Sequence, residues 1–213
     1  HFSTKSDQSL WERGLSMREM LKLFIAVVVF SCLSGGVLAA IQNVTRERIE
    51  YQQLKFVKGP TIKNIMEGCS NDPLIDRLKI VDEAKEMNLF VGEFEGKRNT
   101  VAFETFGKGF GGELGVIVGV NLENDEIIGV AVTTHSETPG VGSRAKTDPD
   151  FATQFKGLSI LDPFKIKTDG GQIDALSGAT ISSRGVCGAV VEAGEIYKRL
   201  KPTIIEKVKE KQG

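Results

Sequence analysis

The 213-residue chain sets 27 Lys and Arg against 28 Asp and Glu, a net charge of −1, and so lacks the basic footprint that nucleic-acid binding leaves. Its three cysteines and two histidines fall in no C-x-x-C, C-x-x-C-H or Cys/His pattern, which excludes zinc, iron–sulfur and c-type haem sites; no metal is expected. The length allows one ordinary globular domain with additions. His1 stands where Met would, the mark of a shortened start or an added remnant.

Leu23 to Ile41, LFIAVVVFSCLSGGVLAAI, contains no charged residue. As a helix it reaches about 28 Å, close to the roughly 30 Å hydrocarbon core of a bilayer, so one transmembrane helix is predicted over 23–42. Ser34-Gly35-Gly36 suits close packing against another helix. A cleaved signal peptide is the main competing reading, because the run ends in Leu-Ala-Ala-Ile. A lipoprotein site at Val29-Phe30-Ser31-Cys32 is disfavoured by the bulk of Phe30 and by the apolar run beyond the cysteine. Arg13, Arg18 and Lys22 precede the helix and Arg46 and Arg48 follow it, a balance that leans towards a cytoplasmic N-terminus. Residues 1–22 then form a cytoplasmic segment, and everything after Gln42 lies outside the inner membrane. Cys32 falls in the span. Cys69 and Cys187 lie where a disulfide is permitted, although two unpaired, partly buried thiols are the default.

Residues 43–89 read as a charged, mostly helical connector: Asn43 to Gln53, Lys63 to Met66, then Leu74 to Leu89 broken by turns. Gly59-Pro60 and Asn71-Asp72-Pro73 are breakers. From Leu89 the texture changes. Phe90-Val91-Gly92, Thr100 to Phe106, Gly115 to Asn121 and Ile127 to Thr133 are rich in β-branched and aromatic residues, with a hairpin turn at Glu123-Asn124-Asp125. Sequential strands with short turns predict a largely antiparallel sheet; helices on either side make the class α+β, with the domain spanning 90–213.

Three segments of that domain carry candidate chemistry. Gly107-Lys108-Gly109-Phe110-Gly111-Gly112 matches GxGxxG by letters but precedes a strand instead of a helix, so it fails as a dinucleotide fingerprint. It reads as a mobile glycine loop whose N–H groups, with Lys108 and Gly109, are candidates to cover a ligand phosphate or ring. His135-Ser-Glu-Thr-Pro-Gly-Val-Gly142 follows a strand end, a common place for ligand groups, although a lone His or Glu is more often a hydrogen-bonding or solvated residue. Asp174-Ala-Leu-Ser-Gly-Ala-Thr180 leads into a helix whose Val186, Ala189, Val190, Ala193, Ile196, Tyr197 and Leu200 make one apolar stripe. Ser182 or Ser183 is the expected N-cap and Pro202 the expected end. A helix start suits a phosphate, and the Thr180 hydroxyl there is suited to esterification by one. Arg184 in the first turn opposes the helix dipole, which fits a bound anion or, more commonly, a solvated surface arginine.

The D-x-x-S-G-A-T run and the H-S-E-T-P-G-V-G run together resemble the FMN-binding domain of the Rnf and Nqr membrane electron-transport complexes, and most closely the Rnf G subunit, whose sister is the Nqr C subunit. The likeness covers about residues 20–200, including the single membrane helix and short connector. It implies FMN bound covalently by a phosphoester to Thr180, within a motif completed by Asp174, Ser177, Gly178 and Ala179 and flanked by Ser182 and Ser183. It implies that His135, Glu137, Thr138, Pro139 and Gly140 contact the flavin; Val141 stands where relatives commonly carry Leu. A flavin transferase that takes FMN from FAD and the other subunits of the complex are the implied partners. The implied role is a redox subunit of a ferredoxin:NAD type translocase, with no independent catalysis. The rival readings are the Nqr C subunit, a membrane-anchored flavin-binding module or sensor without ion coupling, and a secreted flavoprotein.

Overall fold

The computed structural model describes residues 17–82 and 85–211, so residues 1–16 of the expected N-terminal segment lie outside the described residues. The chain divides into two compact units, 1–51 and 52–213. The first is built on α1 (Met17–Gln53). Its stretch Met17–Thr45 is long and apolar enough to cross a membrane, and the apolar side chains along it are not buried within the protein. A helix apolar on all sides needs an apolar surrounding that the described residues do not supply, which fits a bilayer.

The second unit opens with a π-helical turn (Leu54–Lys58) and α2 (Gly59–Ile65). Gly59-Pro60 does not break the chain here: Pro60 lies in the first turn of α2, where its missing N–H costs nothing. Five strands follow: β1 (Arg77–Asp82), β2 (Lys85–Phe94), β3 (Lys97–Lys108), β4 (Glu113–Asn121) and β5 (Ile127–Thr134). They pair antiparallel in chain order, β1-β2-β3-β4-β5. Two short helices, α3 (Arg144–Thr147) and α4 (Pro149–Thr153), and a 3₁₀ turn (Lys167–Asp169) lead to α5 (Thr180–Glu210). The class is α+β, as expected.

Alternation sorts the strand side chains to two faces. Val91, Val101, Phe103, Val116, Val118 and Val132 pack with Val186, Ala189, Val190, Ala193 and Tyr197 of α5 in the main core. Phe90, Ala102 and Ile117 face the other way and pack on Ile62 and Met66 from the α2 region. The α5 contact is reinforced where the Thr105 hydroxyl donates to the Ala189 carbonyl at 2.9 Å.

Two local expectations are corrected. Residues 77–82 form β1 and residues 85–89 the first half of β2, where a helical connector broken by turns was predicted. Pro202 does not end α5; it sits inside a helix that runs to Glu210. Ile204 and Val208 beyond it are buried, and Lys207 and Lys211 donate to the carbonyls of Lys79 and Arg77 on β1 at 2.9 and 3.4 Å. Docking onto the sheet outweighs the hydrogen bond that proline removes.

Candidate functional site

The site lies where α5 begins. Ala179 N–H donates to the Leu176 carbonyl at 2.9 Å, closing a four-residue turn with Gly178 at φ +78°, a conformation that favours glycine. Ser183 holds this turn from inside the helix: its hydroxyl accepts from Leu176 N–H and donates to the Ala179 carbonyl, each at 3.0 Å. The cap residue is Ala179, with no side-chain cap bond, so neither Ser182 nor Ser183 is the N-cap predicted. The first backbone bond of α5 runs from Ser183 N–H to the Ala179 carbonyl at 2.9 Å. The N–H groups of Thr180, Ile181 and Ser182 therefore have no partner within the helix and point out from its start. Half-buried Thr180 is the first residue of that helix, and Ser177 and Gly178 are exposed on the turn before it.

The second motif is folded against the first. A side chain at Gly178 would reach Val141 Cγ1 at 3.9 Å. The Ser182 hydroxyl donates to Glu137 Oε2 at 2.5 Å, and Glu137 is only 6% exposed. Glu137 N–H donates to His135 Nδ1 at 3.3 Å. The Thr138 carbonyl accepts from Val141 and Ser143 N–H at 3.2 Å, and Gly140 N–H donates to Ser143 Oγ at 2.9 Å. Thr138, Pro139 and Gly140 belong to this loop, where Pro139 and Gly140 are exposed.

The glycine segment joins the other two, and most of it is tightly packed. Gly109 N–H donates to the Gly112 carbonyl at 2.8 Å, and Gly111 N–H donates to Glu137 Oε1 at 2.9 Å. A Cβ at Gly107 would fall 1.9 Å from the Gly185 carbonyl oxygen, and one at Gly111 would fall 2.1 Å from the Ser136 carbonyl oxygen. Here the pattern that reads as a mobile loop is a set of hollows that admits neighbouring backbone and the Glu137 side chain. The exposed Lys108 side chain and the tip residue Phe110, 70% exposed, remain outside this packing.

Asp174 lies at the far end of its motif. Gln154 grips its backbone on both sides, accepting from Asp174 N–H at 2.6 Å and donating to its carbonyl at 3.2 Å. The Asp174 carboxylate pairs with Lys167 at 2.7 Å. Arg184 is held by Asp169 through two hydrogen bonds of 2.6 and 2.8 Å. These bonds hold the Asp169 carboxyl below its ordinary range, with desolvation opposing, and raise Arg184. The first-turn arginine thus has an acidic neighbour in the fold, a third outcome beside the bound anion and free solvation considered from sequence. Gln154, Lys167 and Asp169 were not singled out from sequence, since nothing in their local pattern marks them. Among the described residues no group of three or more His, Cys, Asp or Glu could hold a metal ion.

A helix start with outward N–H groups, a threonine hydroxyl and a glycine turn fits a phosphate group. Val141 and Ile181, 43% and 46% exposed, offer apolar surface beside it for a ring. Residues 109–195 match the FMN-binding domain family. The chain is similar to the G subunit of the ion-translocating oxidoreductase complex of Vibrio cholerae, 31% identical over 182 residues, which are 80% of this chain and 87% of the relative. The corresponding G-type relative from Methanosarcina acetivorans is 30% identical over 178 residues, 83% of this chain and 93% of the relative. Among solved structures, NqrC of Shewanella oneidensis shares the fold, with a TM-score of 0.50 at 24% identity over 65% of this chain and 72% of that one. At such identity over about four-fifths of its length, the chain belongs to the family of G subunits of Rnf ion-translocating oxidoreductase complexes.

Proposed function

We propose that this chain is the electron-transfer subunit of an ion-translocating oxidoreductase of the ferredoxin:NAD type, and that it carries FMN as a phosphoester on Thr180 Oγ1. The observation that carries the reading is the uncapped start of α5, with Thr180 as its first residue and the left-handed Gly178 turn before it. FMN supplies one- and two-electron chemistry when bound.

The residues of the chain bind and orient it. The N–H groups of Thr180 to Ser182 would hold the phosphate, and the partial positive charge of the helix start would favour its negative charge. Exposed Val141, Ile181 and Phe110 would give the ring apolar surface, and His135, Thr138, Pro139 and Gly140 would border it from the second motif. The exposed Lys108 side chain would approach from the hairpin, whereas Gly109, expected from sequence to contact the flavin, is buried against Glu137 and Leu114. Attachment requires a flavin transferase with FAD: the bond from Thr180 Oγ1 to the FMN phosphorus forms, the pyrophosphate bond breaks, AMP leaves, and the hydroxyl proton passes to the transferase. The exposed Ser177 and Asp174 carboxylate are the parts of the motif that such a partner reads. The domain lies on the outer side of the inner membrane, anchored by α1, and passes electrons to and from other subunits of the complex.

The test is direct. Chain co-expressed with a flavin transferase is denatured, resolved on a gel and viewed for flavin fluorescence. The wild type keeps fluorescence on the polypeptide, Thr180→Val loses it, and Ser177→Ala retains at least part. Fluorescence persisting in Thr180→Val refutes the attachment residue.

A further inference from the structure

Glu137 belongs to the segment from which flavin contacts are expected, yet its carboxylate points into the protein. Only 6% of the residue is exposed. Oε1 accepts from Gly111 N–H at the tip of the β3–β4 hairpin, and Oε2 accepts from the Ser182 hydroxyl in the first turn of α5, at 2.9 and 2.5 Å. The space around it is kept by glycines: a Cβ at Gly109 would stand 2.2 Å from Oε1, and one at Gly142 would stand 2.3 Å from Oε2. Three segments that are remote in sequence therefore converge on one side chain.

We propose that Glu137 is a positioning residue, a three-way staple that fixes the hairpin tip, the 135–142 loop and the start of α5 around Thr180 without touching the flavin. Both of its oxygens already serve donors from the protein. Such charge-assisted bonds are stronger than neutral ones, and the adjacent helix start favours a carboxylate. The spacing between Thr180 and exposed Phe110 at the hairpin tip is then set through Glu137. With FMN on Thr180, which this inference takes from the proposed function, the staple decides how closely the protein surrounds the ring.

The experiment compares full-length wild type, Glu137→Ala and Glu137→Gln in detergent, loaded by a co-expressed flavin transferase and also prepared without flavin. Gln accepts from Gly111 N–H through Oε1 and donates to Ser182 Oγ through Nε2, so it rebuilds the staple without the charge. All three chains keep flavin on a denaturing gel. Glu137→Ala shows increased iodide quenching of the native flavin and a shifted midpoint potential, and Glu137→Gln returns the quenching to the wild-type value. In the flavin-free chains, amide hydrogen exchange in Glu137→Ala speeds up both at 109–112 and at Ser183, the first hydrogen-bonded amide of α5. Ser182→Ala, which deletes a single side-chain hydrogen bond, gives the same comparison if Glu137→Ala does not fold, with faster exchange at Ser183. Unchanged exchange in these variants overturns the staple, as does acceleration confined to 109–112. A Glu137→Gln potential shift as large as that of Glu137→Ala, with native exchange, overturns it in favour of a direct flavin contact. A wild type without gel-stable flavin refutes the covalent reading instead, and the exchange measurements still decide the staple.

Discussion

Tyr197 is fully buried in the core, and its hydroxyl donates to Asp125 at 2.6 Å, beside Lys201, which reaches the same oxygen at 2.5 Å. Burial first, then the hydrogen bond to Asp125 and its charge, push the phenol well above its ordinary 10.0. The unfolded chain releases this proton near pH 10 while the folded chain holds it, so the stability it contributes is present below pH 10 and lost as pH rises beyond it. Thermal unfolding of the wild type should weaken above pH 10, and Tyr197→Phe should flatten that dependence. Burial likewise raises the Cys187 thiol to about 11. Its alkylation by iodoacetamide at neutral pH should therefore be slow in native protein and fast in denaturant, because the reactive form is the thiolate. The proposed attachment residue was legible at this scale, because a hydroxyl, a Gly turn and a helix pattern are contiguous in sequence. Its supporting partners were not: Arg184 to Asp169, Asp174 to Gln154 and Ser182 to Glu137 span 15, 20 and 45 residues. Local pattern carries no information about which distant side chain will face another.

Among the elements, β3 and α5 approach very closely where Gly107 meets the Gly185 carbonyl. Gly107→Ala should cost about 1–3 kcal/mol or more by forcing the helix off the sheet. Gly188→Ala, at an exposed helix position with nothing within 4 Å, should gain up to about 1 kcal/mol from helix propensity. Urea unfolding of the two variants separates these outcomes. Pro202→Ala restores a backbone donor inside α5 and should stabilise by on the order of 1–3 kcal/mol in the same assay. Strands β3 to β5 were readable because β-branched residues dominate them and both faces are covered. β1 and the start of β2 were not, since Arg77, Lys79 and Asp82 give the edge strand β1, and Lys85 and Glu86 give the end of β2 that pairs with β1 alone, the charge density of a helix. Edge strands tolerate such charges because only one side of the strand is paired. Pro202 misled for a different reason: a helix end predicted from local propensity yields when later turns are buried, as Ile204 and Val208 are.

For the whole molecule, α1 defines how the protein is handled. A helix whose apolar stretch is unburied by the described residues should keep the protein in the membrane pellet through an alkaline carbonate wash and release it only with detergent. Recovery in the carbonate supernatant would refute the single-pass reading. The sheet order, which follows chain order, bears on how the second unit assembles. Each hairpin needs only its neighbour, so pairing can proceed as the polypeptide is made. The outer edge of β1 is the exception: the lysine amines that reach its carbonyls come 128 and 134 residues later. At synthesis rates of roughly 5–20 residues per second, that edge waits on the order of 10 s for its cover. During that interval it is an open template for pairing with another nascent chain, so a protein truncated before Lys207 should be prone to aggregation even with its motif and sheet complete.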